Sequence, residues 1–154
     1  MHKKNFIHLL SHLIYIILYL SLIILSIFFY NSANLRILSY VGWLLLISGA
    51  SILFVSVKSR KKIHKKRTFV KTGIYAYIRH PGYLGHMLII FSLIFIGQSL
   101  INIIIGTILI VLLFLAIIEE EKRNIRKFGY PYKIYMKKVP KINLLAGILK
   151  QLSH

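Results

Sequence analysis

The sequence predicts an all-α integral membrane protein with about four transmembrane helices, and three observations lead to this prediction. The 154-residue chain is 57% hydrophobic, it carries 21 Lys and Arg against 3 Asp and Glu, and its charges leave long uncharged stretches between them. An ordinary soluble domain is less apolar and more evenly charged. Apolar blocks in a bilayer and cationic blocks against anionic headgroups explain both extremes. The length allows a single domain, residues 1–154.

Four membrane helices are predicted in order along the chain: 6–30, 37–57, 81–97 and 100–118. The first two uncharged stretches have the length of about 20 residues that a spanning helix needs. The third uncharged stretch is too long for one span, and Gly97-Gln98-Ser99 supplies a polar break that divides it into a helical hairpin. A buried hairpin that never crosses the membrane is the alternative.

The distribution of the cations predicts the orientation. With four spans, 20 of the 21 Lys and Arg fall on one side, and Arg36 is the exception. The positive-inside rule makes that side the cytoplasm, so both termini and the 58–80 loop are expected there. The tail, 119–154, is then cytoplasmic or interfacial. Apolar residues at helical spacing over 144–152 predict a short helix in the membrane interface.

The composition excludes several classes of function. The chain has no cysteine, which excludes a disulfide framework, a thiolate metal site and a cysteine nucleophile. No metal is expected, because the helically spaced pair His8 and His12 has no acid or thiolate nearby. The basic run over 59–67 lies between two membrane helices, so we expect it to contact membrane lipids rather than nucleic acid.

The only three carboxylates of the chain are adjacent, at the end of the fourth predicted helix: Glu119, Glu120 and Glu121. Neighbouring residues are about 100° apart on a helix, so two of them can flank one site while the third faces solvent. Glu119 precedes Arg123 by four residues, a spacing that favours an ion pair. Since acids oppose the dipole at a helix C-terminus, the helix is expected to continue to Phe128 and to end at Gly129.

A second cluster, GIYAYIRHPGYLG over 73–85, surrounds the start of the third helix. Pro81 disfavours helix at His80 and suits the first helical position, where exposed N–H groups attract an anion. Gly82 and Gly85 allow another group to approach the backbone closely. From these residues alone, an interfacial turn with a headgroup-binding Arg79 is slightly favoured.

The two clusters together resemble a known family. The matching residues are Gly73-x-Tyr75, Arg79-His80-Pro81-x-Tyr83-x-Gly85, Glu120-Glu121, Phe128-Gly129, Tyr132, Tyr135 and Val139-Pro140. In order and spacing they resemble the isoprenylcysteine carboxyl methyltransferase and phospholipid methyltransferase family. The resemblance implies an integral membrane methyltransferase that uses S-adenosylmethionine and acts on a lipophilic small molecule or lipid entering from the bilayer.

The resemblance also implies roles for individual residues. The implied cofactor-binding residues are Arg67, Thr68, Phe69, Val70, Tyr75, His80, Pro81, Gly82, Tyr83 and Glu120. The implied catalytic residues are Glu120, Glu121 and Arg79. Methyl transfer is an in-line displacement, so we expect these residues to align the reactants, exclude water and supply a suitable field rather than to form a covalent intermediate.

The sequence departs from this family in three places, one of which is Lys141-Ile142-Asn143, where the terminal Ile-Pro signature is blurred. Ala116 stands where prenylcysteine enzymes carry the arginine that holds the substrate carboxylate, and Asn124 stands where leucine is usual. The acceptor therefore stays open between an isoprenylcysteine-type carboxylate, a phospholipid amine and a related lipid. An NADPH-dependent membrane reductase of the sterol reductase type and a non-catalytic membrane scaffold are the alternative functions. The paired glutamates followed by Phe128-Gly129 favour methyl transfer.

Overall fold

Helices make up most of the backbone. A computed structural model describes residues 2–61 and 69–152, and within these ranges it contains six α-helices, one short 3-10 helix and no strand. The helices are α1 (His2–Phe28), α2 (Arg36–Lys61), α3 (Pro81–Gly97), α4 (Leu100–Phe128), α5 (Tyr130–Lys138) and α6 (Leu144–Leu152), and the 3-10 helix is Gly73–Ala76. The predicted all-α class is confirmed for the described residues.

Two helices are long and apolar enough to cross a membrane, over Arg36–Arg60 of α2 and Leu100–Phe128 of α4. Only 17% and 28% of their most apolar windows are buried, unlike the core helix of a soluble protein. Large apolar side chains instead face outward, as at Ile37 and Phe54, which are 77% and 69% exposed. These features indicate a membrane protein, because lipid rather than protein must cover such surfaces. The helices α1, over His12–Phe28, and α3 are apolar but shorter.

The chain forms two compact units. Unit 1 comprises Met1–Ile47 and Leu88–Leu113, and unit 2 comprises Ser48–Met87 and Phe114–His154. The helices α2, α3 and α4 each contribute to both units, because the boundaries fall within them.

Neutral polar side chains join the helices of unit 1. The Ser26 hydroxyl lies 2.6 Å from the Leu22 carbonyl oxygen and 3.0 Å from that of Leu93, and it accepts a hydrogen bond from Asn102 Nδ2 at 3.3 Å. Gly97 leaves no space here, since a Cβ would overlap the Asn102 amide and lie 3.1 Å from Ser26 Cα. Three helices, α1, α3 and α4, therefore approach closely at this point.

The two loops of unit 1 are hydrogen-bonded to each other. The Gln98 amide pairs with the Leu35 backbone, accepting from its N–H at 3.0 Å and donating to its carbonyl at 2.9 Å. The Ser32 hydroxyl lies 3.0 Å from the Gly97 carbonyl and 2.8 Å from that of Gln98. The α1–α2 and α3–α4 loops thus lie at the same end of unit 1. The predicted break is confirmed, since α3 ends at Gly97 and α4 begins at Leu100.

Unit 2 contains the end of α4 and both C-terminal helices. As predicted, α4 continues past the acids to Phe128, where Gly129 ends it with a φ of 64°, a left-handed conformation that favours glycine. The next helix, α5, has Pro131 in its first turn and was not predicted. The short helix predicted over 144–152 is present as α6.

Candidate functional site

The candidate site is built around the Glu121 carboxylate, near the C-terminal end of α4. Its Oε1 lies 3.2 Å from Arg79 Nη1 and 3.3 Å from His80 Nε2, and its Oε2 lies 3.1 Å from Lys141 Nζ. The side chains of Glu121, Arg79 and His80 are 10%, 8% and 2% exposed. The Lys141 side chain is 36% exposed. Because solvent barely screens the contacts of Arg79 and His80 with Glu121, these two constrain the site much more than a surface ion pair would.

The turn before α3 presents two of these basic side chains. Pro81 begins α3 and disfavours helix at His80, so the N–H groups just before the helix bond outside it. Arg79 N donates to the Pro140 carbonyl at 3.0 Å, and His80 N donates to the Lys141 carbonyl at 3.1 Å. These two bonds join the turn to the segment after α5 and bring Lys141 to the carboxylate.

His80 is the neutral member of this cluster. Burial lowers the pKa of His80, although Glu120 and Glu121 favour its charged form, and Arg79 disfavours that form further. A carboxylate oxygen only accepts hydrogen bonds, so a neutral imidazole bonded to Glu121 carries its proton on Nε2. His80 therefore donates to Glu121 without adding a full positive charge.

The Arg79 guanidinium keeps unused hydrogen-bonding capacity. Its Nη1 is within ion-pair distance of Glu121, but neither Nη1 nor Nε has a directed hydrogen bond within the described part of the chain. An unsatisfied buried donor costs about 1–3 kcal/mol, and more when it is charged. With His80 neutral, Glu121 faces two positive charges, those of Arg79 and Lys141. The cluster thus keeps hydrogen-bond donors for one more acceptor group.

The three acids have three different environments. Glu121 is buried, Glu120 is half-buried and Glu119 is exposed, which confirms the prediction that one of the three faces solvent. Glu120 acts electrostatically on Tyr83 and on Arg60. The expected ion pair between Glu119 and Arg123 is not among the ion pairs of the described residues, so that prediction is wrong.

Tyr75 joins three elements of unit 2 beside the cluster. Its hydroxyl lies 3.0 Å from Ser56 Oγ and accepts from Arg60 Nη2 at 3.3 Å, both on α2. Its backbone carbonyl accepts from the Tyr135 hydroxyl on α5 at 2.6 Å. Tyr75 is only 6% exposed. These contacts fix the 3-10 helix between α2 and α5.

An aromatic cluster packs next to this point. The Phe69 ring lies with its centroid 5.3 Å from that of Phe128 and 5.2 Å from those of Tyr132 and Tyr135. Burial raises the pKa of both tyrosines. Asn124 Nδ2 donates to the Tyr132 hydroxyl at 3.3 Å, which gives a physical reason for a polar residue where the resembled family usually has leucine.

Comparison with family models adds one finding to this geometry. The family model described as "Protein of unknown function (DUF1295)" matches residues 1–139. The chain belongs to the DUF1295 family. No curated protein and no solved structure gives a significant match. The matched range includes the whole cluster except Lys141. The finer resemblance to isoprenylcysteine carboxyl methyltransferases stays a prediction.

The predicted site residues of this DUF1295 protein divide into those that meet at Glu121 and those that do not contact it. Arg79, His80 and Glu121 are in mutual contact. Pro81, Gly82 and Tyr83 form the first turn of α3, and the Tyr83 ring lies edge-on to His80 with centroids 5.6 Å apart. Tyr75, Phe69 and the half-buried Val70 lie outside the ion-pair cluster. Arg67 and Thr68 lie outside the described residues.

Gly85 allows a close approach to its backbone, as expected. A Cβ at this position would lie 2.7 Å from Leu53 Cγ and 2.9 Å from the Gly49 carbonyl oxygen. The group that approaches the Gly85 backbone in the structure is therefore α2. At Gly82 a Cβ would make only an ordinary contact with Ser56 Oγ, at 3.4 Å.

Sequence reasoning missed two cations of this DUF1295 site. Lys141 directly follows the Val139-Pro140 motif, but nothing in the sequence links it to Glu121, because the link depends on the backbone pairing of residues 79–80 with 140–141. Arg60 belongs to the basic run that was assigned to lipid headgroups. Within the described residues no group of three or more His, Asp or Glu is arranged to hold a metal ion.

Proposed function

We propose that this DUF1295 protein is a membrane methyltransferase that transfers a methyl group from S-adenosylmethionine to a lipophilic acceptor. The observation that carries the proposal is the contact of Arg79 and His80, in the turn before α3, with Glu121, one of the paired acids of α4, at 3.2 to 3.3 Å. These are the two motifs of the methyltransferase resemblance. Acids are costly in an apolar chain, and ionisable groups retained in such surroundings usually serve a function.

The side chains of the cluster fit the polar groups of S-adenosylmethionine. The unused donors of Arg79 and the charge of Lys141 suit its carboxylate. Glu120, which takes no part in the ion pairs of Glu121 and is hydrogen-bonded to Tyr83, has acceptor capacity that suits its ammonium group or ribose hydroxyls. The neighbouring Tyr83 ring suits a cationic sulfonium. When bound, the cofactor supplies an electrophilic methyl group.

The protein residues in this proposal bind and orient rather than react covalently. Glu121 holds Arg79, His80 and Lys141 in one arrangement. The bonds of Tyr75 to α2 and α5 limit the movement of the adjoining segment. Such preorganisation lowers the barrier of a displacement by keeping the reactants aligned and by excluding water.

We further propose four membrane spans, α1 to α4, with both termini and the 58–80 loop in the cytoplasm. Hydrogen bonds between the α1–α2 and α3–α4 loops support this topology, because four spans put both loops on one side. The asymmetry of the cations gives the cytoplasmic side. At about 1.5 Å per residue, α3 is shorter than the hydrocarbon core, so it requires local thinning of the bilayer.

The proposed acceptor class is a lipid or a lipophilic small molecule. The outward-facing apolar side chains on α2 and α4 support this acceptor class, because they suit a lipid environment. Ala116 leaves α4 without the arginine that prenylcysteine enzymes use to hold their substrate carboxylate. A phospholipid amine or another lipid therefore remains open beside an isoprenylcysteine-type carboxylate.

Cofactor titration of the purified protein in detergent tests the proposal. We expect binding of S-adenosylmethionine and a loss of affinity of about tenfold or more for Glu120→Gln, since a charge-assisted hydrogen bond contributes about 1.5–3 kcal/mol. Glu119→Gln, at the exposed neighbour, is the matched control and should bind like the wild type. Equal affinities for the wild type and Glu120→Gln would contradict the site.

A parallel titration with NADPH separates methyl transfer from reduction. Binding of NADPH without binding of S-adenosylmethionine would overturn the proposal in favour of a reductase, and binding of neither would favour a scaffold. Membranes with and without the protein, supplied with isotopically labelled methyl donor, should then differ in one labelled lipid class, which identifies the acceptor.

A further inference from the structure

The helix α6 has an apolar face that no described part of the chain covers. Leu145, Ile148, Leu149 and Leu152 recur at positions 0, 3, 4 and 7 of a helical repeat and are 75%, 38%, 66% and 78% exposed. Exposed apolar area costs about 25 cal/mol per Å² in water, so four neighbouring aliphatic side chains form an unfavourable surface unless something covers it.

The opposite side of α6 is fixed against the protein. A Cβ at Gly147 would overlap the Tyr77 carbonyl oxygen and lie 2.8 Å from the carbonyl carbon. Only glycine therefore allows this approach. Asn143 caps the helix, since its Oδ1 accepts from Ala146 N at 3.0 Å. With its cap formed and its glycine against Tyr77, α6 directs its leucines outward.

The charge around α6 defines what can cover it. The chain has nine Lys and Arg after Glu121 and no acid. Of these cations, Lys150 is on α6 itself, and Lys137 and Lys138 end α5. A second copy of this chain would bring the same net positive charge to the contact, whereas anionic lipid headgroups would neutralise it. An apolar helix face bordered by cations is typical of helices that lie in the membrane interface.

We propose that α6 docks on the surface of the membrane in which the protein is embedded, with its leucines at the acyl-chain boundary and its cations at anionic headgroups. This inference does not depend on methyl transfer. It has a consequence for the site, because Lys141 and the α6 cap, Asn143, are only two residues apart. Docking of α6 therefore holds the segment that supplies Lys141 to Glu121.

The depth of single tryptophans in nanodiscs tests this proposal. Trp43 is the only tryptophan of the chain, so Trp43→Phe provides a background without indole fluorescence. In this background we expect brominated acyl chains to quench Leu149→Trp at least about twofold more than Lys150→Trp, since adjacent residues point about 100° apart on a helix. Quenching of Leu149→Trp should increase when phosphatidylglycerol replaces phosphatidylcholine.

Leu145→Trp repeats the measurement one turn earlier on the same face, so one poorly folded variant cannot decide the outcome. Gly147→Ala, added to Leu149→Trp, should reduce the difference between the two faces because it pushes α6 away from Tyr77. Equal quenching at positions 149 and 150 would overturn the proposal. Protection from lipid quenching that appears only when two copies share a nanodisc would overturn it in favour of self-association.

Discussion

Units 1 and 2 both bury polar side chains, but with different chemistry. Unit 1 uses neutral groups: Ser26 and Gln98 donate to backbone carbonyls, and Asn102 donates to Ser26. Unit 2 uses charged groups, with Arg79 and Lys141 gathered at one buried carboxylate. The neutral bonds connect helices and loops within a single unit, and each contributes about 0.5–1.5 kcal/mol.

The two units also differ in what they leave unpaired. In unit 1 the Asn102 Oδ1 and Ser92 hydroxyl have no hydrogen-bond partner within the described part of the chain, and both are neutral. In unit 2, Arg79 Nε and Nη1 have no hydrogen-bond partner among the described residues, and the desolvation of a buried guanidinium costs much more. A charged cluster with unused donors is difficult to explain by stability alone. We therefore interpret the buried polar groups of unit 1 as structural and, under the proposed function, the charged cluster of unit 2 as functional.

We expect the largest effect from a substitution in the charged cluster of unit 2. Glu121→Gln removes the charge that Arg79 and Lys141 share, which leaves the buried Arg79 guanidinium without its ion-pair partner and next to the part-exposed Lys141. We expect the free energy of unfolding to fall by about 3–5 kcal/mol. The measurement is denaturation in mixed detergent micelles, monitored by circular dichroism. Arg79→Gln in the same protein should recover part of the loss, because it removes one of the unpaired cations.

The control for this prediction is the exposed acid two residues earlier. Glu119→Gln changes the net charge by the same amount, and we expect it to alter the unfolding free energy by less than about 0.5 kcal/mol. Equal losses for Glu119→Gln and Glu121→Gln would show that net charge, rather than the buried cluster, sets the stability.

We expect a smaller effect on the unfolding free energy from a substitution among the neutral polar groups of unit 1. Asn102→Ala removes the hydrogen bond to Ser26 but also removes the unpaired Oδ1, so we expect a loss of only about 1 kcal/mol. Since Asn102 belongs to unit 1, cofactor affinity should stay at the wild-type value. The same titration and denaturation assays measure both quantities. A loss of cofactor binding in a folded Asn102→Ala protein would contradict the division between structural and functional polarity.

The fold was largely predictable because its signals are local. Uncharged stretches have the length of spanning helices. Gly97-Gln98-Ser99 separates α3 from α4, and Gly129 ends α4, as their residue types predict. The helix α5 was not predicted, because its cations and tyrosines do not form a clear helical repeat of apolar residues. Its buried Tyr132 and Tyr135 face an aromatic cluster that includes Phe69, and no local signal in the sequence reveals that contact.

The candidate site was predictable only in part. The scarcity of acids and the Pro81 turn identified both halves, but spacing alone did not reveal which glutamate is buried. The structure gives the ion pairs to Glu121 and leaves Glu120 half-buried. Lys141 was not predictable, since it reaches Glu121 through backbone pairing between distant segments.

The smallest expected effect is a pH dependence of the unfolding free energy. It distinguishes the two units because it arises from His80 in unit 2. Burial is the main cause that lowers the pKa of His80, and the positive charge of Arg79 lowers it further. The negative charges of Glu120 and Glu121 oppose this shift. In the unfolded chain this histidine titrates near its ordinary pKa of 6.5. As the pH falls below that value, the unfolded chain gains a proton that the folded chain does not bind, so stability decreases; above it, stability is retained.

We therefore expect the unfolding free energy of the wild type to fall between about pH 7.5 and pH 5.5. His80→Gln keeps a hydrogen-bond donor for Glu121 but does not titrate, so it should show a shallower fall in the same detergent. The chain has seven histidines, so the informative quantity is the difference between the two slopes. Identical slopes would mean that His80 binds a proton equally well in the folded and unfolded chain, which would contradict a neutral histidine in the cluster.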